Sequence, residues 1–457
     1  MYTSFIKASA IMLWLVISSN HGIAQQRNQL DEYITQAFNQ NQSLKQQQFD
    51  LEKAMFALKE AQAMYLPTVS VLGSYTKAAG GRTIDVPVGD LVNPIYQALN
   101  ELTASSKYPQ LENQSFLLNP DNFYDMKVRT SLPLVNAEIR YNKLIKKELI
   151  SSQQAGFNVY KRALVKDVKL AYYRYYQALQ SIEAYESAQH LITENIRVNT
   201  SLQRNGVRNG TALLRAQTEQ EKNNAALVDA QKNADNARAY FNFLLNRPLQ
   251  DSILIDASSL LKPATDLDSS LDVNGREELS QLKSMQLINH LDYKLQRSNL
   301  IPKLSTFLDL GSQGADFKVN NKTSYYLWGV NLQWDIFTGG RNKYKAAQVQ
   351  SSLKSTAEKL DEAEQSFKMQ LLQSQNNCRA AKAAYESTKA GLDLAARYLK
   401  DQTKAYKAGQ LLYLELIDAQ NQLTQAQLNL AGKQAELQIS LAELERNQAS
   451  YPIDNKH

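Results

Sequence analysis

The most restrictive feature of this chain is a run of about 68 residues, 340–407, that contains no proline and is rich in Lys, Gln, Ala and Ser. Residues of these types favour helix, whereas proline would break one. At roughly 1.5 Å per residue, the run predicts one helix about 100 Å long. Gln, Asn, Ala, Lys, Glu and Leu also dominate the other long stretches, as in extended helices and coiled coils. The chain is therefore expected to be elongated and mainly helical.

A predicted strand leads directly into this helix. Its apolar residues occupy every second position, and they are Tyr326, Trp328, Val330, Leu332, Trp334 and Ile336. Polar residues or glycine lie between them, so 325–337 is expected to be a strand with one apolar face and one polar face. The segments 122–134 and 303–311 alternate in the same way, and they predict two further strands of this kind.

Three pairs of similar segments indicate that the chain is built as two copies of one plan. They are YLPTVSVLGSYT at 65–76 with LIPKLSTFLDLG at 300–311, SLPLVNAEIRYNKL at 131–144 with QWDIFTGGRNKYKA at 333–346, and GVRNGTALLRAQ at 206–217 with GQLLYLELIDAQ at 409–420. Each half is predicted to run helix, strand, strand, long helix, turn, long helix. Repeat 1, 29–250, has these elements at 29–64, 67–77, 122–134, 137–203 and 210–246, and repeat 2, 276–449, has them at 276–299, 303–311, 325–337, 340–407 and 410–447. A linker at 247–275 joins the repeats.

The first 24 residues are typical of a secretory signal peptide, 1–24. Lys7 precedes the short apolar run Ile11–Ile17, and the small-residue site Gly22-Ile23-Ala24 follows it. A membrane anchor would need about 18 apolar residues, and this run is shorter. The exported chain is expected to be 25–457, and its single cysteine, Cys378, excludes an internal disulfide.

The two halves differ in the connection between their paired strands. In repeat 2 this connection is short, GSQGADFKVNNKTS, whereas in repeat 1 it spans about 40 residues, 78–121. Prolines at positions 87, 94, 109 and 120 prevent one continuous strand there. A long connection of this kind is usually on the surface and often functional.

The apolar faces of the four strands need an apolar neighbour, and the rest of the chain offers no second sheet. Lipid is a suitable neighbour, with four candidate aromatic residues for the membrane interface: Tyr325, Tyr326, Trp328 and Trp334. A sheet can lie in a bilayer only as a closed barrel. Four strands are too few to close, since about eight is the practical minimum, so several chains must contribute. Three chains, each with four strands, would give a barrel of twelve.

On these residues the chain resembles the TolC-like outer-membrane efflux protein family over essentially all of 25–457. The resemblance rests on the doubled plan, the helix-proline-strand entries at Pro67 and Pro302, the passage WDIFTGGR at 334–341, and the turn-helix segments at 206–217 and 409–420. It implies a mainly helical fold with a periplasmic α-barrel tunnel, and a homotrimer that shares a β-barrel in outer-membrane lipid of a Gram-negative bacterium. It also implies the exit duct of a tripartite efflux pump or type I secretion system, with a periplasmic adaptor and an inner-membrane pump as partners.

The resemblance further implies where the periplasmic entrance lies. It would be formed at the two helix turns, near Gly206–Gly210 and Gly409. Positions that the family uses for an acidic ring and for a gate tyrosine are matched here by Glu415, Asp418 and Tyr406. The chain departs from the family pattern at two places, because Leu411 stands where an arginine can occur and Ala212 stands where an acidic residue can occur.

Other classes of protein fit the residues less well. Only His190 and His290 lie between the signal peptide and the terminal histidine, and no motif for a metal, a phosphate or a nucleophile is present, so no catalytic residue, metal site or cofactor is predicted. The net charge of +6 is spread along the chain, which does not indicate a nucleic-acid partner. The remaining alternative is a periplasmic helical-hairpin adaptor or structural protein without a pore, which explains the long helices but not the strands.

Overall fold

The computed structural model describes residues 29–119, 121–207, 209–256 and 270–453. The predicted signal peptide, 1–24, lies outside the described residues, as does the middle of the predicted linker. The helices are α1 Gln29–Gln40, α2 Gln42–Ala63, α3 Val88–Leu102, α4 Ala137–Arg204, α5 Thr211–Leu244, α6 Glu277–Ser298, α7 Arg341–Lys407 and α8 Tyr413–Gln448. The strands are β1 Thr68–Thr76, β2 Thr83–Val86, β3 Gln114–Leu117, β4 Phe123–Val135, β5 Lys303–Ala315 and β6 Ser324–Gln333. The mainly helical fold with four long strands is thus confirmed, whereas the division into repeats and linker stays a prediction.

The described part of the chain divides into two compact units. Of the described residues, the helical unit contains those from Gln29 to Ala54, from Glu148 to Leu287 and from Lys354 to Ile453, and the sheet unit contains those from Met55 to Lys147 and from Ile288 to Leu353. Among the described residues, none of the helices combines the length and the apolar character that crossing a membrane requires.

The main sheet has the strand order β1-β4-β5-β6, and every neighbouring pair is antiparallel. Its register places Val71 opposite Val128, Val128 opposite Leu310, and Leu310 opposite Tyr326. Because residues directly opposite each other project from the same side of a sheet, the alternating apolar residues of all four strands form one continuous face. β1 and β6 are the edge strands.

An aromatic core holds the helical unit together. Tyr33 on α1, Tyr172 on α4 and Phe241 on α5 are buried, and the rings of Tyr33 and Phe241 meet edge to face at 5.1 Å between centroids. The tyrosine hydroxyls also accept backbone hydrogen bonds from the segment after α5, from the N–H of Leu254 at 3.0 Å and from the N–H of Asp256 at 2.8 Å. This segment is therefore fastened to α1 and α4.

Three predicted boundaries are wrong. The helix expected at 29–64 is interrupted at Asn41, whose side chain accepts a 3.0 Å hydrogen bond from the Leu44 N–H and so caps α2. The strand expected at 303–311 continues to Ala315. The strand expected at 325–337 ends at Gln333, because Gln333 pairs with Lys303 and the preceding residue of β5, Pro302, has no N–H to continue the ladder.

The long connection of repeat 1 contains regular structure that the sequence analysis did not predict. It holds the helix α3 and the small antiparallel hairpin of β2 and β3. Pro94 lies inside α3, and proline disfavours a helix interior, which is why the sequence pattern concealed this helix.

Candidate pore entrance and barrel face

Both long helix hairpins turn in the same way. α4 is followed by Gly206 with φ +70° and α7 by Gly409 with φ +76°. In each turn, the N–H of the residue after the glycine donates a 3.0 Å hydrogen bond to a carbonyl five residues earlier. This is the Schellman ending of a helix, and it needs a left-handed residue that only glycine adopts without strain. The two turns that were predicted near Gly206–Gly210 and Gly409 are therefore present.

A cluster of apolar side chains lies beside these turns in the helical unit, and we call it the tip cluster. It consists of Ala216, Leu399, Tyr406, Tyr413, Leu416, Ile417 and Ala419. Leu411 and Ala212, the two departures from the family pattern, are partly buried against it. At these positions the chain thus has apolar packing in place of the charged pair that an arginine and an acidic residue would form.

A line of buried polar side chains crosses the tip cluster. The Tyr406 hydroxyl donates to Oδ1 of Asn199 at 2.6 Å, Asn199 Nδ2 donates to the Asn195 carbonyl at 2.9 Å, and Asn195 Nδ2 donates to Oε1 of Gln420 at 2.7 Å. Burial raises the pKa of Tyr413, although a hydrogen bond with Asn195 acts in the opposite direction. These hydrogen bonds connect α4, α7 and α8 of the same chain. The Tyr406 hydroxyl therefore donates its hydrogen bond to a residue of its own chain, Asn199.

Asn195, Asn199 and Gln420 were not predicted as site residues from the sequence. The two asparagines are four residues apart and therefore lie on one side of α4. Asparagine is a weak helix former, so its repetition at this spacing inside a long helix was a usable signal of a buried polar contact.

Glu415 and Asp418 lie on the exposed side of α8. Glu415 is in the first turn of the helix, and Oδ2 of Asp418 accepts a 2.7 Å hydrogen bond from Nε2 of Gln422. Both carboxylates are open to solvent, whereas Tyr406 is buried. The structure therefore places the two predicted acidic residues on one helix face and the predicted gate tyrosine in the packed interior.

The apolar face of the main sheet is exposed in the single chain. Its exposed large side chains include Val69, Val71, Met126, Val128, Leu310, Tyr326, Trp328, Val330 and Leu332. Such a continuous apolar surface is unusual for a protein surface in water and indicates a lipid or protein neighbour.

Only part of the predicted aromatic set lies on this face. Tyr326 and Trp328 belong to it, but Tyr325 projects from the other face, where its hydroxyl donates a 2.8 Å hydrogen bond to Oδ1 of Asp125. Consecutive residues of a strand face opposite sides, so Tyr325 and Tyr326 lie on different faces, and the role of the four aromatics at the membrane interface stays a prediction. Trp334 follows the end of β6, and its Nε1 donates to the Leu300 carbonyl at 3.1 Å.

The second half of the chain matches a known protein family. Residues 290–447 match the family model described as outer membrane efflux protein. Over these residues the chain is similar to the outer membrane efflux proteins. Comparison with curated proteins gives no match.

Several solved structures are similar to the chain over nearly its whole length. CusC is 14% identical and superimposes with a TM-score of 0.75, covering 92% of this chain and 92% of CusC. The Campylobacter jejuni CmeC outer-membrane channel is 14% identical with a TM-score of 0.71, covering 92% and 85%. The Neisseria gonorrhoeae MtrE outer-membrane channel, in its open state, is 15% identical with a TM-score of 0.70, covering 92% and 88%. These likenesses establish the TolC-like fold.

The opposite face of the sheet in this TolC-like chain is polar and carries paired charges. Arg129 donates two hydrogen bonds to Asp309, both 2.7 Å, and Lys127 Nζ donates to Oδ2 of Asp125 at 2.6 Å. The Arg129 guanidinium also lies over the ring of Phe307, 4.9 Å from its centroid. A Cβ at Gly329 would be 2.7 Å from that ring, so glycine is needed there to let Phe307 lie flat across the strand.

Proposed function

We propose that this protein is the outer-membrane exit duct of a tripartite efflux pump or type I secretion system. One observation carries the proposal: the chain has a four-stranded sheet with an exposed apolar face and two free edges, β1 and β6. A sheet in lipid must close on itself so that each backbone group is paired. Four strands cannot close, so β1 of one copy pairs with β6 of the next, and three copies complete the barrel.

In this barrel the apolar face contacts outer-membrane lipid and the polar face lines the lumen. Tyr326 and Trp328 suit the lipid side because aromatic side chains gather at membrane interfaces. The charged side chains around Arg129 and Asp309 are kept on the water-filled side, where their hydration costs least.

The helical unit supplies the periplasmic part of the duct. The tip cluster and its buried polar line fix the turns, and the exposed carboxylates of Glu415 and Asp418 surround the entrance. Three copies contribute two carboxylates each, and a ring of acidic side chains favours the passage of cations. Val207, Leu214, Leu412 and Leu414 are exposed large apolar residues near the turns, and they offer contact area to neighbouring copies or to a periplasmic adaptor.

The duct moves cargo without chemical change, so we infer that the protein is not an enzyme and needs no cofactor. The match of residues 290–447 to the outer membrane efflux protein model supports this inference. The alternative of a periplasmic helical-hairpin adaptor without a pore leaves the apolar face of the sheet without a function.

The test begins with the assembly. The protein, extracted from outer membranes with detergent, should have the mass of three copies, and it should insert into planar bilayers as a pore. A monomer that keeps its full strand signal in circular dichroism would contradict the duct.

A second arm tests orientation. Ser105 lies exposed in the connection between β1 and β4, and a cysteine there, in a Cys378→Ser background, should react with a membrane-impermeant maleimide on intact cells. The native thiol is a weak background in any case, because Cys378 is buried and burial raises its pKa. Labelling only after the outer membrane is broken would reverse the proposed orientation.

A further inference from the structure

The connection between β1 and β4 forms a small folded insert, residues 78–119, in which α3 is clamped by the returning chain. Asn93 and Leu111 exchange two hydrogen bonds of 2.9 and 2.7 Å between the asparagine side chain and the leucine backbone. Asn100 and Tyr108 repeat the arrangement at 2.8 and 3.1 Å. One side of α3 is therefore fixed against the backbone of the return segment by two asparagines.

A glycine makes this close approach possible. Gly89 is buried, and a Cβ at this position would lie 2.4 Å from the Leu111 carbonyl oxygen. Farther along, the rings of Tyr96 and Tyr108 pack at 5.4 Å between centroids. The rotation of α3 about its own axis is thus set by contacts along its whole length.

The opposite side of α3 is apolar and exposed. Leu91, Ile95 and Leu102 are 67%, 59% and 84% exposed. At about 100° per residue, the three lie within an arc of roughly 40° that is centred about 180° from Asn93. An isolated surface helix buries its apolar side and exposes its polar side. In α3 the polar asparagine side is packed against the return segment and the apolar side is exposed. We therefore expect a neighbour outside the insert to cover the apolar stripe of Leu91, Ile95 and Leu102.

We propose that the apolar stripe of α3 packs against the inserts of the neighbouring copies and forms a collar around the outer mouth of the duct. The inference rests on the proposed function. The insert starts two residues after β1 ends, and β1 is the edge strand that meets the next copy in a closed barrel. The stripe therefore lies beside an interface between copies, and burying three large aliphatic side chains there would stabilise the trimer outside the membrane.

The charge of α3 disfavours a lipid neighbour. Helices that lie on a membrane surface carry Lys and Arg on the polar side to bind anionic lipid. α3 contains Asp90 and Glu101 and has no basic residue. The insert of a neighbouring copy is therefore the better match for the uncharged stripe.

Spin labels measure what covers the stripe. A label at Ile95→Cys is compared with one at Gln97→Cys, an exposed position on the polar side of the same helix, both in Cys378→Ser trimers in lipid vesicles. We expect the Ile95 label to be protected from a water-soluble nickel complex and from dissolved oxygen, and the Gln97 label to be open to nickel. If the nickel complex reaches the Ile95 label as readily as the Gln97 label, the stripe is open to water and the collar is wrong. If dissolved oxygen reaches the Ile95 label but the nickel complex does not, the stripe contacts lipid and the collar is also wrong.

Cross-linking identifies the neighbour. A benzophenone maleimide attached to a cysteine introduced singly at Leu91, Ile95 or Leu102 should join copies on illumination, and the same reagent at the Gln97 control should not; a photo-activated group is used because copies in a ring meet through two different surfaces. Protection of Ile95 without a cross-link at any of the three positions would give the stripe another occupant and overturn the collar. The mass of the detergent-extracted protein distinguishes failure of the collar from failure of the proposed exit duct. A trimer that does not cross-link refutes only the collar, whereas a protein that is not a trimer refutes the duct.

Discussion

Arg129 on β4 and Asp309 on β5 stand directly opposite each other and share two 2.7 Å hydrogen bonds, although 180 residues separate them in the sequence. The Asp309 side chain is only 1% exposed. Two residues away on β4, Lys127 is paired with Asp125. The polar face of the sheet thus carries two internal ion pairs, and its third cation, Lys303, is paired with Glu138 at the start of α4, so these charges cancel within each chain. A barrel lined by this face would not select ions by charge, which leaves selection to the entrance.

Asp309→Asn should make the barrel favour anions. The change leaves Arg129 without its carboxylate, and three copies place three uncompensated positive charges in the lumen. The heat stability of the trimer should also fall, because a paired charge has lost its partner. The reversal potential of single channels in a salt gradient measures the first effect.

The double variant Arg129→Gln with Asp309→Asn is the matched control. It restores neutrality, so selectivity should return to that of the native channel while heat stability stays lower. If Asp309→Asn alone leaves the reversal potential unchanged, the polar face does not line the conducting path.

Tyr406→Phe should destabilise the helical unit without changing ion selectivity. The substitution removes the hydroxyl that donates to Asn199, and a buried acceptor that loses its donor costs about 1–2 kcal/mol. Thermal unfolding followed by circular dichroism measures the loss. Tyr398→Phe, on the same helix at a partly exposed position, should have a smaller effect. An open channel at unchanged stability would mean that Tyr406 acts as a latch between copies instead.

The elements of the fold could be predicted because their signals are periodic and local. Period-two alternation marked β4, β5 and β6, and long runs without proline marked α4 and α7 to within a few residues. Register, by contrast, depends on which strands become neighbours. The pairing of Arg129 with Asp309 could not be read from residues so far apart.

Contacts between helices could not be predicted from the sequence either. Asn195 and Asn199 look like solvent-facing residues in a polar helix until α7 and α8 are packed beside them. α3 was concealed because Pro94 interrupts its pattern and its apolar side is the exposed one. Glu415 and Asp418 were predicted as entrance residues only through the family resemblance, since two carboxylates at a helix start are common in any protein.

Glu278→Gln should weaken the helical unit at neutral pH and much less in acid. Glu278 accepts hydrogen bonds of 2.7 Å from Arg276 and 2.9 Å from Arg446, and Arg276 is buried over the ring of Phe367. Burial of the carboxyl works to raise the pKa of Glu278, but the hydrogen bond from Arg276 and the nearby positive charges outweigh burial and hold it below its usual value. At pH 7 the variant leaves a buried arginine without its carboxylate, at a cost of about 3 kcal/mol.

The sign of the pH dependence follows from the lowered pKa. A carboxyl whose pKa is lowered on folding contributes its full stability above the unfolded pKa, about 4.3, and loses it as the pH falls through the folded value. Melting temperatures of the native protein and the variant should therefore begin to converge as the pH falls below the unfolded pKa of about 4.3, and they should meet only below the lower folded pKa. Glu364→Gln is the control, because its partner Lys368 lies one helical turn away on the surface, and its effect should be small throughout. Equal stability of Glu278→Gln and the native protein at pH 7 would contradict a stabilising role for the ion pairs.

Glu415→Gln combined with Asp418→Asn should weaken cation selectivity and block by multivalent cations. Both carboxylates are exposed on one side of α8, three residues apart, and three copies bring six of them to one entrance. Single-channel recordings with and without a trivalent cation measure the change, and trimer stability should be nearly unaffected. The competing explanation is that both carboxylates only complement the helix dipole, worth about 0.3–1 kcal/mol at an exposed position. Glu436→Gln, at an exposed position far along the same helix, is the control for a general change of charge. Unaltered selectivity and block with a lower melting temperature would make Glu415 and Asp418 helix-start carboxylates and remove them from the entrance.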